Sequence, residues 1–416
     1  MSGTTGVLGH AWRATVTPYG DVVPWTDEPT LGWYVAADDR WYSPQAETTV
    51  RQVQIDGTPV FETRVRIPKG DAVQRVWSVA DGGGLTLVEV VNESPMPIAV
   101  AFTRGDVLTA RPPADVPIEG IDLPAGSIVL PVGHQAAVTV ALRHDGGGAG
   151  PLPAGVPTAL QVARGWTGVA DRASRLVLPD AALATAVTSA RCELALAGPE
   201  LPDDHPAMFL VQVGQLVRMG EPAEPWLVDV AHAVETMMAR DGDVESWLMD
   251  AAFDGTAVVL HAAEQSRALR DLSKVRARWG RGAEALPPRS APDDAAMLLA
   301  WIDRWCVSSN GGLLPLGLPD AWLGAQVEVY DAPVGASKVS YALRWHGERP
   351  AVLWEVTGEP VHLTAPALAP GWSTDAASGE ALWPTPPNAV LPTVMEATRE
   401  DTSRAMPPTD DGVSFS

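Results

Sequence analysis

One short turn brings four reactive or recognition-competent side chains together: Trp345, His346, Glu348 and Arg349, with Gly347 among them. An indole can stack on the apolar face of a sugar ring, and the rigid fork of Arg donors beside a carboxylate can hydrogen-bond its hydroxyls. His346 could titrate near neutrality and serve acid–base chemistry. The plainer alternative is that Trp345 covers a sheet while a carboxylate holds Arg349. A second group, Asp229, His232 and Glu235, recurs every three residues, which puts all three on one face of a helix. That helix is otherwise apolar, so the group is a candidate polar pocket. His261 and Glu264 form a further pair three residues apart. A metal centre needs three or four ligands converging from several elements. The chain has no HExxH, no CxxC and no histidine cluster, so neither a metal nor another cofactor is expected. There is also no dinucleotide fingerprint, P-loop or GxSxG elbow.

These residues must be positioned by three kinds of segment. Residues 1–178 read as short strands separated by turn residues. The runs are Arg13–Thr17, Gly32–Val35, Thr49–Ile55, Val60–Arg66, Ala72–Val79, Leu85–Val91, Ile98–Phe102, Ser127–Leu130, Ala136–Leu142 and Ala159–Ala163. Many short strands at this spacing predict an antiparallel β-sandwich. Asp56-Gly57, between two alternating runs, predicts a two-residue hairpin turn. At Pro179-Asp180 the period changes to that of helices, with Asp180 as an N-cap. The region 179–306 accommodates about six helices of ordinary length, pairing as αα-hairpins. Its boundaries are expected at Gly198-Pro199, Gly220, Asp241-Gly242 and Pro287-Pro288. Asp254 is expected to cap a long helix running from Gly255 to Trp279. Residues 307–397 return to strands at Ala325–Tyr330, Val339–Leu343, Ala351–Val356 and Pro360–Leu363, with Thr374–Leu382 as a connection. Residues 398–416 show no periodic pattern and read as a disordered tail.

The composition limits the partners. The chain of 416 residues has 46 % hydrophobic residues and a formal charge of −22, with three lysines. Such a charge would repel a phosphate backbone, so nucleic acid is not an expected partner. No apolar run is long enough to span a membrane. The first residues lack the basic and apolar regions of a secretory signal. The two cysteines, Cys192 and Cys306, lie in apolar helical patterns and are expected to be buried thiols. A cytoplasmic location fits these features. Sixteen tryptophans against five tyrosines and five phenylalanines suit either stacking platforms or core packing.

The order of β-sandwich, helical array and short β region resembles the glycoside hydrolases and phosphorylases built on an (α/α)6 toroid, including the glucoamylase-like enzymes. The segments RVRIPKGDAVQRVWSVAD and LVEVVNESPMPIAVAF resemble their supersandwich domain. NGGLLPLGLPDAWLGAQVEVYDAPVGASKVSYALRWHGERPAVLWEV resembles the sheet that follows their helices. The resemblance implies a glycan ligand and, in a catalytic member, two carboxylates acting as acid and base. Inversion needs the two roughly 6.5–9.5 Å apart with room for a water. Glu264 and Asp303 are the nominated pair, although no family motif assigns either a role. The helical region has half the helices that a full toroid requires. The first expectation is therefore a non-catalytic glycan-binding protein or assembly subunit. The alternatives are an inverting α-glycoside hydrolase and an oligomeric scaffold without a sugar ligand. A half-array should also have an apolar face that needs cover, from the flanking sheets or from a partner such as a second copy in a two-fold dimer.

Overall fold

The computed structural model describes residues 2–114, 119–240, 245–279 and 286–386. The tail expected at 398–416, the last part of the 307–397 region and the helix stop at Asp241-Gly242 lie outside the described residues.

The period-two runs of the N-terminal region form antiparallel sheets. A seven-stranded sheet has the spatial order Gly150–Pro151, Leu108–Thr109, Ala137–Arg143, Leu85–Asn92, Gly70–Val79, Phe61–Ile67 and Arg51–Gln54. Its only parallel pair among the described residues joins the first two of these strands. A four-stranded sheet orders Ile128–Val132, Ile98–Phe102, Trp33–Ala36 and Trp41–Tyr42. The two sheets share one core, in which Trp33, Val100, Phe102 and Leu130 meet Phe61, Val65, Val76, Val88 and Val140. This is sheet-on-sheet packing with the larger apolar residues inside. A three-stranded sheet of Gly3–Gly6, Arg13–Val16 and Val22–Pro24 lies against this body and reaches the helices. Arg13 Nε donates to Leu196 O at 2.7 Å, and Thr4 donates to Glu193 at 2.8 Å.

Four local expectations need correction. Ala159–Ala163 is not a strand but the start of helix α1 (Ala159–Ala170). Thr158 and Gln161 form a reciprocal capping box there, which satisfies helix-start donors that a strand would not present. Helix α1 covers the outer face of the seven-stranded sheet, where Ala159 and Ala163 pack on Trp77, Leu85 and Leu87. The strand around Gln52 is an edge strand facing the opposite way from its apolar pattern: Val53 is 56 % exposed while Gln52 and Gln54 turn inward. Asp56 and Gly57 do have positive φ, 50° and 70°, but within a six-residue loop, since Gln54 pairs with Phe61. Thr374–Leu382 is not a mere connection, because Ser378–Leu382 forms the last strand of the C-terminal sheet.

Among the described residues of the 179–306 region, six further helices follow: α2 (Ala181–Ala197), α3 (Pro206–Met219), α4 (Leu227–Ala239), α5 (Ser246–Ala262), α6 (Ser266–Trp279) and α7 (Ala295–Cys306). Asp180 caps α2 through Ala182 N and Leu183 N, and Asp294 caps α7 through Met297 N. Gly220, at φ 112°, ends α3 in the left-handed conformation that glycine permits. The expected long helix from Gly255 is corrected. Asp254 and Gly255 lie inside α5, and the break comes at Glu264, whose φ is 57°.

The pairing of these helices puts three of them at the centre of the array. Helices α3, α5 and α7 pack directly on one another, while α4 lies on α3, α6 on α5 and α2 on α7. Helix α3 is therefore buried on nearly every side, whereas α6 has no fully buried residue. Glycines let α3 and α5 approach closely: Gly214 faces Gly255, and a Cβ on Gly255 would lie 2.4 Å from Leu210 O. Three inner helices thus fill the space that a larger ring would leave open.

The C-terminal sheet orders Arg175–Val177, Val327–Val334, Ser337–His346, Arg349–Thr357 and Ser378–Leu382, all antiparallel. Its first strand lies between α1 and α2 in the chain, so the segment before residue 178 contributes to both sheet systems. Val329, Tyr341, Leu343 and Val352 join the same apolar cluster as Phe209, Phe253 and Trp301. The C-terminal sheet therefore supplies the cover that the helical array needs. No helix of the described residues is long and apolar enough to cross a membrane.

Candidate functional site

The starts of α3, α5 and α7 meet at one end of the helical array and line a cleft of about 550 Å³. This follows from their mutual packing, because three helices with a common direction bring their free N–H groups to the same end. The link between α2 and α3 contributes Glu200, Asp204 and His205. The starts of α5 and α7 contribute Glu245 and Asp294, and the end of α4 contributes Arg240. Met208, Leu248 and Met297 form the apolar part of the wall. Arg240 is held in place by donating to Asp204 O at 3.1 Å and to Asp203 O. Glu200 N donates to Gln212 Oε1 at 2.7 Å, and Trp247 Nε1 donates to the Glu245 carboxylate. The carboxylates sit near the starts of three helices, where the backbone N–H groups present an electropositive end. The cleft has the size of a small-molecule site and presents both acceptors and donors beside apolar surface.

A second concentration of charge centres on a buried carboxylate. Asp254 on α5 is 2 % exposed and lies 2.6 Å from Arg276 Nη1 of α6 and 2.7 Å from Arg304 Nη1 of α7. Its Oδ1 also accepts from Gly335 N at 3.1 Å. The Arg304 contact to Oδ2 is an ion pair without hydrogen-bond alignment. Asp250 completes the group at 3.3 Å from Arg276 Nη2; burial raises its carboxyl above the ordinary range while Arg276 opposes that. Such a network holds helices and sheet in register.

The two acids nominated for catalysis sit in different surroundings. Asp303 is buried on α7, where it accepts from Arg218 at 2.5 Å and from Gln215 at 3.0 Å. Glu264 is exposed in the link between α5 and α6. Asp229, His232 and Glu235 do share a face of α4, but that face is exposed rather than turned into a pocket. His232 Nε2 lies 2.7 Å from Asp203, and that hydrogen bond raises its pKa. Asp203 adjoins the cleft residue Asp204, so only His232 of this group approaches the cleft.

The Trp345–Arg349 segment forms the end of a β-hairpin. The strands extend further than expected, so that His346 pairs with Arg349 and only Gly347 and Glu348 make the turn, with Gly347 at φ 63°. Trp345 Nε1 donates to Ala325 O at 3.0 Å. Arg349 donates to Trp383 O at 3.1 Å and to Leu382 O at 3.4 Å, which fixes the neighbouring strand. His346 and Glu348 are exposed. Among the described residues, no hydrogen bond or ion pair joins this hairpin end to Asp229, His232, Glu235, Glu264 or Asp303.

Sequence reading missed Glu200, Asp204, His205 and Arg240 as cleft residues. Their signal was positional: they stand at or beside helix boundaries of alternate helices, which share one end. Periodicity within each helix could not reveal that the starts of α3, α5 and α7 converge. The tryptophans resolve toward packing, since ten of sixteen are buried in the cores. Both cysteines are buried thiols, and burial pushes Cys192 up to about 12. No protein-family model and no curated protein matches this chain.

Proposed function

We propose that this chain is a glycan-binding protein of glycosidase-like architecture that does not cleave its ligand, and that the cleft at the starts of α3, α5 and α7 is where the glycan sits. The single observation that carries this reading is the lining of that cleft, which sets Glu200, Asp204 and Glu245 with Arg240 beside Met208, Leu248 and Met297. Carboxylates accept hydroxyl protons, the guanidinium donates to ring and hydroxyl oxygens, and apolar side chains flank the C–H faces of a sugar. Binding without cleavage is favoured because the nominated acids, Glu264 and Asp303, differ in setting: Glu264 is exposed and Asp303 is buried. Asp303 is engaged by Arg218 at 2.5 Å.

Calorimetry against maltodextrins and related glycans tests the reading. Folded wild-type protein should give saturable heat with at least one of them. Glu200→Ala and Asp204→Ala should weaken that binding about tenfold, the loss of roughly one charge-assisted hydrogen bond. Trp345→Ala should leave it unchanged, because that indole is already bonded within the sheet. No heat with any glycan would sink the reading. Product release by wild type, lost in Asp204→Ala, would replace it with a hydrolase that uses this cleft.

A further inference from the structure

A different cleft, of about 510 Å³, lies between α1, α2, the Arg175–Val177 strand and the loop bearing Asp56. It is lined by Arg164, Arg175 and Arg191, together with Asp171, Asp56 and Thr185. Three guanidinium groups in one cleft stand out in a chain of charge −22. Elsewhere carboxylates pair most of the buried and half-buried arginines, as at Arg75, Arg104, Arg218, Arg276 and Arg304. Arg164, Arg175 and Arg191 form no ion pair among the described residues.

Arg191 is the most telling of the three. It is 2 % exposed, and it donates to Ala170 O, to Ser174 O at 2.6 Å and to Ser174 Oγ at 2.6 Å. Those partners are neutral, and its Nε has no partner at all. A buried cation without a counter-ion is expensive, and burial lowers its pKa to about 10. Asp303 and, within the cleft, Asp171 oppose that effect only in part. Asp171 is itself partly buried, and burial raises its pKa against the pull of Arg191 and Arg175. Arg175 is oriented by stacking on Tyr330, 4.1 Å from the ring centroid. Arg164 uses only Nε, donating to Leu160 O at 3.3 Å, so its terminal nitrogens remain available.

We propose that this cleft binds a phosphate group, either as inorganic phosphate or as the monoester of a small polar metabolite. Planar guanidinium forks match the oxygens of a phosphate, and a dianion supplies the counter-charge that Arg191 lacks. The Thr185 hydroxyl adds a neutral donor. The cleft exceeds the needs of phosphate alone and leaves space for an attached polar group. It is separate from the glycan cleft, and the two assignments stand or fall independently.

Calorimetry with inorganic phosphate and with a hexose 6-phosphate, at constant ionic strength, tests the proposal. Both probes should bind. Tighter binding of the hexose phosphate would identify a monoester ligand, and equal binding would identify phosphate itself; either supports the site. Arg191→Ala would disturb the core, so the informative variant is Arg164→Ala combined with Arg175→Ala, both exposed residues. That variant should lose at least tenfold in affinity. Asp171→Asn, which removes the opposing charge, should tighten binding severalfold. Glu200→Ala should leave phosphate binding unchanged. Absence of heat with both probes in folded protein, or affinity unchanged in the double arginine variant, would overturn the proposal.

Discussion

His144 owes its properties to burial. Its ring stacks on Trp12 with centroids 4.0 Å apart and planes 7° from parallel, and Nε2 lies 2.9 Å from Thr86 Oγ1. Burial first, then the nearby His10 and Arg13, lowers its pKa from 6.5 to about 4, against a weaker pull from Asp145. The unfolded chain therefore binds more protons than the folded one between those values. The stability linked to this group is fully present above about pH 6.5 and is lost as pH falls toward 4. His144→Gln, which keeps a polar group near Thr86, should flatten the decline of melting temperature across that window. An unchanged slope in the variant would show that other groups govern acid unfolding. The same dependence on surroundings separates the two readings of the tryptophans. Composition could not tell a stacking platform from a core residue, and only the neighbours decide: Trp354, Trp372 and Trp383 pack on one another, with centroids 5.3 Å and 5.1 Å apart.

At the scale of elements, the loop carrying Asp56 and Gly57 joins the sandwich to the helices. Gly57 has φ 70°, and a Cβ there would lie 2.4 Å from Thr185 O on α2. Beside it, Ser189 Oγ donates to Gln54 Oε1 at 3.0 Å. Gly57→Ala thus combines an unfavourable backbone conformation with a clash against helix backbone. It should cost about 2 kcal/mol or more in urea unfolding, whereas Gly82→Ala, with positive φ but no neighbour closer than 3.8 Å, should cost less. Equal losses in the two variants would remove the docking contribution. The place of the turn, though not its six-residue length, was legible from Asp-Gly between alternating runs, as were the caps at Asp180 and Gly220, because these are properties of a few adjacent residues. The errors arose where local signals competed. Ala159–Ala163 has an apolar run that suits either state, and the capping box decided it. The break between α5 and α6 could not be placed because Asp254-Gly255 looks like a helix start. In the structure, Gly255 serves close packing on α3 and Asp254 serves an ion pair, both long-range demands. The candidate clefts were least legible of all, since each collects residues from several elements.

For the whole molecule, the buried charges around Asp254 act as the joint between the helical array and the C-terminal sheet. The shared apolar cluster brings the two bodies together but is tolerant of small shifts, whereas directional contacts fix their register. Asp254 receives Arg276 from α6, Arg304 from α7 and Gly335 N from the turn between two sheet strands. Arg304 in turn donates to Pro333 O at 3.0 Å and to Ser309 Oγ at 2.8 Å. Removing the acid would leave Arg304, 2 % exposed, buried without its counter-ion. Breaking a buried pair on one side typically costs about 3–5 kcal/mol, while replacing both partners by apolar residues can be nearly neutral. Asp254→Ala should therefore cause a loss of that size in urea unfolding. Hydrogen exchange should rise in Val327–Val334 and Ser337–His346 as well as in α5 and α7, because the joint loosens on both sides. Exchange confined to α5, or a loss below about 1 kcal/mol, would mean that apolar packing alone holds the sheet on the helices.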